Sequence, residues 1–170
     1  MEMNLLEEIS SSQGPLCGQH IIQSHPVGGG CIHNAWKIKL ETGQQFFAKT
    51  SLLKHFKMLE FEANGLATIN QKIDKNFLIA PEPLAIQKLV SAAILIMPWL
   101  DLGEGNERNL GKGLALLHKQ TAAEDSNTFG WGTDGFIGYS PQLGGWKENW
   151  GECFVKMRFY LKLKWPLIGV

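Results

Sequence analysis

The chain has 170 residues, its 16 basic and 16 acidic side chains cancel to zero net charge, and 44% of its residues are hydrophobic. That length predicts one domain, or one domain plus a fragment of another, and the apolar content excludes wholesale disorder. Neutrality, with only Arg108 and Arg158 among the Lys residues and no basic cluster, argues against a nucleic-acid surface. No apolar run approaches the roughly 20 residues of a bilayer span, and 92–100 is broken by Pro98. The acidic start, 1–12, lacks the basic-then-apolar order of a secretory leader. Cys17, Cys31 and Cys153 form neither a disulfide framework nor a zinc-ligand spacing, so a reducing cytoplasm is expected. The 19 Gly concentrate at 28–30, 103–113 and 130–145, and that clustering asks for a reason.

In chain order, 2–12 reads as a short amphipathic helix with Leu5, Leu6 and Ile9 on one side. A strand over 19–27 runs into Gly28-Gly29-Gly30. A second strand over 34–40 carries Ala35, Ile38 and Leu40 as its apolar positions, and the turn 41–44 returns the chain into a strand over 45–49. Leu52, Phe56, Leu59, Ala63 and Leu66 recur at spacings of three and four, which predicts a helix over 52–70. Pro81 and Pro83 make 79–86 a loop leading into a short strand, and 91–97 is a buried strand that Pro98 stops. A helix over 106–120 aligns Leu110, Leu114 and Leu117. The polar, Gly-rich stretch 121–146 reads as an ordered loop. A last helix over 147–163 puts Trp150, Phe154, Met157 and Leu161 on one face. The expected class is α+β, strands filling the first hundred residues and helices the remainder.

A glycine turn between strands, followed by Lys49 at the end of Phe46-Phe47-Ala48, can serve phosphate chemistry. Backbone N–H groups approach a phosphate closely where no Cβ intervenes. A flexible hairpin and a surface lysine would look the same, so the glycines alone decide nothing. A Walker loop is excluded, because no Gly-Lys-Ser/Thr follows, and a Rossmann turn fails because position 33 is His and 34–40 is a strand. A strand–loop–strand cover over a phosphate remains. Protein-kinase-like sites of that kind fix the lysine with a Glu on the next helix. Glu60 and Glu62 both qualify: each lies about 80° from the centre of the apolar face, on opposite flanks, so periodicity leaves them tied.

The stretches GGGCIHNAWKI, FFAK, MLEFEANGL, PEPLAI, ILIMPWLDLG, LGKGLALLH, FGW..DGFIG and PQ...W...W resemble the fructosamine kinase (ketosamine-3-kinase) family, in its order, over roughly residues 8–163. The resemblance implies a protein-kinase-like fold with an N-lobe over 1–97, a hinge at 98–105 and part of a C-lobe over 106–170. It implies that Gly28, Gly29, Gly30 and Cys31 cover the phosphates of ATP, that Lys49 contacts them, and that Glu62 is its ion-pair partner. Met97, Pro98, Trp99 and Leu100 would meet adenine through backbone groups, with Asp101 at the ribose. Pro98 has no N–H to donate, so an adenine contact there must use a carbonyl or a neighbour. Cys31, accessible and near a positive charge that lowers thiol pKa, would be a redox candidate; some relatives pair such a cysteine between two molecules, which implies a possible homodimer. Gly135 stands where the family usually has Asn.

Three further residues or groups are weighed by their surroundings. His118 ends the predicted helix and no Asp follows in a His-Arg-Asp order, so it reads as structural rather than as a base. Trp131, Trp146 and Trp150 could stack on a substrate, but aromatics in a packed loop are more often core. Asp134 lacks the Phe-Gly of a metal-binding DFG.

The family's reaction is ATP- and Mg²⁺-dependent phosphorylation of a ketoamine sugar on a glycated protein or amine. Its acceptor-orienting and metal-binding groups sit on a His-Gly-Asp-Leu-Trp-x-Gly-Asn loop and a following Asp, and neither occurs here. No catalytic or metal-ligating residue is therefore expected within these 170 residues. The expectation is a chain truncated before the catalytic loop, inactive alone, with an exposed apolar face over 147–163 that favours aggregation or association with a separate C-lobe. The alternatives are a nucleotide-binding or interaction remnant, and another small-molecule kinase of this fold acting on an aminoglycoside or choline.

Overall fold

The computed structural model of the chain describes residues 1–30, 32–124 and 128–159; Cys31, positions 125–127 of the predicted loop and everything from 160 lie outside them. The chain divides into two compact units, Met1–Leu116 and Leu117–Val170. The first unit is built on a five-stranded antiparallel sheet in the order β1-β2-β3-β5-β4. Its strands are β1 (Ile21–Val27), β2 (Asn34–Leu40), β3 (Gln45–Ser51), β4 (Ala85–Lys88) and β5 (Ala93–Pro98). Pro26 falls on β1, the sheet edge, where a missing N–H interrupts no ladder.

Alternation along the strands sorts side chains to two faces. Ile38 and Leu40 of β2, Phe46 and Ala48 of β3, and Ile94 and Ile96 of β5 point one way and bury against Ile9 of helix α1 (Met3–Ser10) and Leu16. Ala35 points the other way from Ile38 and Leu40, so the apolar residues of β2 do not share a face as the sequence pattern implied. Glu8 ties α1 to the β4–β5 turn, its carboxylate accepting the Val90 N–H at 2.6 Å and the Ser91 hydroxyl at 2.9 Å. Thr50 is buried but satisfied, since Trp36 Nε1 donates to its Oγ1 at 2.9 Å.

The opposite face carries Ala93, Leu95 and Met97 of β5, covered by Leu59 and Ala63 of α2 (Phe56–Lys72). Leu52, placed in this helix by periodicity, precedes it: a 3₁₀ turn over Leu53–His55 opens the helix and leaves Leu52 exposed. At the far end, Asn70 Nδ2 donates to Leu66 O at 3.0 Å and Pro81 O at 3.2 Å, which anchors the proline loop. Helix α3 (Glu107–Glu124) begins in this unit. Its closest packing uses a glycine rather than the aligned leucines: a Cβ on Gly113 would lie 2.8 Å from Leu78 Cβ, while Leu110 and Leu114 are exposed.

The second unit departs from the sequence reading. Within the predicted loop lie four three-residue strands, β6 (Phe129–Trp131), β7 (Gly135–Ile137), β8 (Ser140–Gln142) and β9 (Gly145–Lys147). β6 pairs with β9 and β7 with β8. Gly130 crosses Gly145 so closely that a Cβ would lie 2.0 Å from its carbonyl oxygen. The final helix is shorter than expected: α4 (Trp150–Phe154), capped by Asn149 Oδ1 accepting from the Glu152 N–H at 3.1 Å, opens into a π turn over Val155–Phe159. Cys153 and Met157 are its buried residues. Trp150 and Phe154 stack on each other with their rings 5.1 Å apart and exposed, so the buried face is not the one the periodicity chose. Leu161 lies outside the described residues. Strands and helices thus mix in both halves of the chain.

Candidate functional site

The strand register brings Val27, Ala35, Lys49, Leu95 and Ile86 into one row across the sheet, on the face that α2 covers. Neighbouring strands lie about 4.8 Å apart, so Lys49 sits two strands from the point where β1 enters the glycine loop. Lys49 Nζ meets Glu62 Oε1 at 2.5 Å, with the two side chains 27% and 31% exposed. Glu60 is exposed and makes no such pair. The structure therefore breaks the tie that helical periodicity left.

Gly28, Gly29 and Gly30 are exposed, and a Cβ on Gly28 or Gly29 would touch nothing within 4 Å. Packing does not demand glycine here. Gly29 is required by its backbone, at φ +104°, in the left-handed region that L side chains avoid. The result is an open, strand-bounded turn one row from a cation. Cys31, its predicted fourth member, lies outside the described residues.

The residues expected at the hinge divide by their backbone bonds. Met97 is buried in the core beneath α2. Pro98 has no N–H, and the Trp99 N–H donates to Gln45 O at 3.3 Å. Leu100 is the next donor along the segment. Asp101 accepts the Trp99 indole N–H at 2.8 Å through Oδ1, which leaves its second oxygen for another partner. Two residues along, in the next row on the same face of the sheet, His25, Lys37, Phe47 and Met97 align. Lys37 Nζ lies 4.1 Å above the Trp99 ring, and Phe47 and Trp99 are 6.4 Å apart.

Sequence reasoning missed two residues here, Lys37 and His33. Lys37 reads as an ordinary polar position of a strand, and only the folded structure shows that it overlies Trp99. His33 served only to exclude a Rossmann turn. In the structure its ring is partly buried beside Lys49, Glu62 and His55, and its Nδ1 is covered without a hydrogen-bond partner among the described residues. Burial first, and the Lys49 ammonium second, hold its pKa below the usual value of 6.5, against a smaller upward pull from Glu62. A neutral imidazole at the foot of a glycine loop was not legible from spacing.

Other sequence candidates stand apart from this group. His118 lies inside α3, not at its end, and its side chain is exposed rather than packed. Trp146 and Trp150 are likewise exposed and not core. Asp134 has a structural task, its Oδ1 accepting the Gly144 N–H at 2.8 Å. Cys17 and Cys153 are free thiols, the first exposed and the second buried. Among the described residues no three His, Cys, Asp or Glu side chains gather as a metal site, and no helix is long and apolar enough to cross a membrane.

A lysine–glutamate pair under a glycine loop, on an antiparallel sheet backed by one helix, has close structural relatives. The fold matches a protein assigned as fructosamine-3-kinase from Haemophilus somnus 129PT with a TM-score of 0.70 at 20% identity, over 82% of this chain and 46% of the other. A similarly assigned protein from Thermobifida fusca gives 0.64 at 20% identity, over 91% and 50%. These likenesses establish a kinase-like N-lobe within a mixed α+β fold. In sequence, the chain is 30% identical to a probable ketoamine kinase of Synechocystis over 84% of its own length and 47% of the relative's. It is 34% identical to the chloroplastic protein-ribulosamine 3-kinase of Arabidopsis thaliana, over 81% and 41%. The chain thus spans about half the length of the curated relatives it matches. The fructosamine kinase profile covers residues 3–166, and the chain belongs to that family.

Proposed function

We propose that the chain supplies the nucleotide-holding part of an ATP-dependent kinase that phosphorylates ketoamine sugars on glycated proteins or free amines, a deglycation step. The observation that carries this reading is the Lys49–Glu62 pair, 2.5 Å apart, on the row of the sheet that ends in the glycine loop. The residues present fit a nucleoside triphosphate. Gly28, Gly29 and Gly30 would offer backbone N–H groups to its phosphates, with Cys31 beside them, while Lys49 neutralises phosphate charge and Glu62 holds Lys49 in place. Met97, Pro98, Trp99 and Leu100 would meet adenine through backbone groups, and with Pro98 lacking an N–H and the Trp99 N–H donating to Gln45 O, the Leu100 N–H would be the donor to the base edge. The Asp101 oxygen not taken by Trp99 would serve the ribose.

ATP brings the phosphoryl group, and Mg²⁺ would shield its charge. The described residues gather no carboxylate cluster to hold that ion, and the 170 residues contain no His-Gly-Asp to orient an acceptor hydroxyl. The reading for this chain by itself is therefore holding without transfer. The free thiols of Cys17 and Cys153 support work in a reducing compartment, the cytoplasm.

Calorimetric titration of the purified chain with MgATP, paired with an assay of ATP consumption on a fructosamine, tests the reading. Binding that is lost in Lys49→Ala, with no turnover, is the expected result. Equal binding by the variant would remove the site. Turnover by the chain alone would overturn holding without transfer, and turnover on choline or an aminoglycoside instead of a ketoamine would overturn the substrate class.

A further inference from the structure

The Lys49–Glu62 pair accounts for itself, each charge satisfying the other. His33 does not. Its Nδ1 is buried without a partner among the described residues, and a buried polar atom without a hydrogen bond gives up its hydration for nothing in return. Such an atom in a native fold calls for a reason, and a role in a site is one.

The surroundings specify what that reason can be. The charged and titratable groups around the ring are Lys49 from β3, Glu62 from α2 and His55 from the 3₁₀ turn before it. Among the described residues the carboxylate beside the ring, that of Glu62, is already taken by Lys49. The ring hangs from the same turn as Gly28–Gly30, with the Cβ position of Gly30 only 3.2 Å from the His33 carbonyl oxygen. The turn is therefore tight at its base, while Gly28 and Gly29 have open space around them. A neutral imidazole carries a proton on one nitrogen only, and with an anion in that space a second proton on the ring would turn both nitrogens into donors and give the ring a partner.

We propose that the His33 imidazole is a third phosphate-binding group of this site, which takes up one proton from solvent when the polyphosphate of a nucleotide settles against Lys49. The inference rests on the reading of the site as nucleotide-binding and adds the charge state of the site to it. The linkage has a definite sign. In the free protein, burial and the Lys49 ammonium keep the imidazole neutral. A polyphosphate cancels the Lys49 field and adds negative charge of its own, so it favours the imidazolium, whose ring N–H then donates to a phosphate oxygen. A ligand that raises a pKa binds more tightly as pH falls through the window between the free and bound values. For this ring that window opens below the ordinary histidine pKa and extends upward from there.

The test uses the whole chain with MgATP, titrated from about pH 8 to about pH 6, a range that brackets the ordinary histidine pKa. His33→Asn places a neutral polar group near the position of Nδ1 and cannot titrate, and the ratio of wild-type to variant affinity at each pH removes protonation of the nucleotide itself. That ratio is expected to rise by about three- to tenfold over the range, within the limit of about tenfold per pH unit that one linked proton allows. Calorimetry in buffers of different ionisation enthalpy should show proton uptake in the wild type alone. The imidazole NMR signals of His33 should titrate at higher pH with MgATP than without it. A ratio that stays flat, with His33 titrating identically in both states, overturns the inference while leaving the nucleotide site standing. Absence of MgATP binding to the wild type at every pH overturns both. Should His33→Asn fail to fold, the NMR titration of the wild type decides alone.

Discussion

Replacing Glu62 with Gln removes one charge from the Lys49 pair while keeping size and shape, and Glu60→Gln is its matched control on the opposite flank of α2. Two unit charges at the 2.5 Å of this pair would attract by roughly 7 kcal/mol at an effective dielectric near 20. Most of that is offset by desolvation and by the fixing of two long side chains. Fully exposed pairs keep about 0–1 kcal/mol, whereas stripping a partner from a fully buried pair costs about 3–5 kcal/mol. With 27% and 31% of the two side chains exposed, the pair falls between those limits, and Gln still accepts one hydrogen bond from the ammonium. The expected loss is about 1–2 kcal/mol. Because the chain has two compact units, a global melt would blend them. Amide hydrogen exchange at Ala48 and Leu95 reads the first unit alone. Their protection should fall about 5- to 30-fold in Glu62→Gln and stay unchanged in Glu60→Gln. Equal effects of the two substitutions, or none from Glu62→Gln, would refute the reasoning that one ion pair fixes Lys49.

Two packing predictions follow from close approaches in each unit. Leu59→Ala empties a fully buried site between Ala63, Leu95 and Met97 and should cost about 2–5 kcal/mol, read as an equal drop in the exchange stability of β5 amides. Gly130→Ala pushes a methyl to within 2.0 Å of the Gly145 carbonyl oxygen at φ +148°. It should separate β6 from β9 and reduce the near-ultraviolet signal of Trp131 and Trp146 while leaving β3 and β5 protection intact.

The legible parts of the fold were those in which one repeat runs long enough to be read. Strand β2 was predicted over its observed bounds because a turn signal closes each end. The helix pattern of α2 was readable because Leu59, Ala63 and Leu66 face a sheet throughout, and only its first turn was misjudged. In the second unit no element has that length. Strands of three residues complete no alternation, and their pairing depends on Gly130 and Gly145 crossing closely, a contact between residues far apart in sequence. The α4 face failed for a geometric reason. A projection at 3.6 residues per turn groups Trp150 with Phe154 and Met157, but after Phe154 the chain widens to a π turn. The positions then rotate out of register, and Cys153 with Met157 becomes the buried pair.

The candidate site separates these two kinds of knowledge more sharply. Lys49 and the glycines could be named from residue type, because a cation after an apolar strand and a turn without side chains are local features. Periodicity could not name its partner, since Glu60 and Glu62 sit symmetrically about the apolar face of one helix, and only the family resemblance pointed to Glu62. The choice is made by the sheet. Lys49 shares its strand face with Leu95, the core that Leu59 and Ala63 cover, and the flank of α2 that descends toward that row carries Glu62. His33 was hidden for a related reason. Nothing in its spacing sets it apart from any turn histidine; its character arises only when the β2–β3 ladder brings Ala35 opposite Lys49 and draws the loop base over the ion pair. The groups whose chemistry depends on a neighbour's charge are those that a single strand of sequence cannot display, and in this chain they are Glu62 and His33.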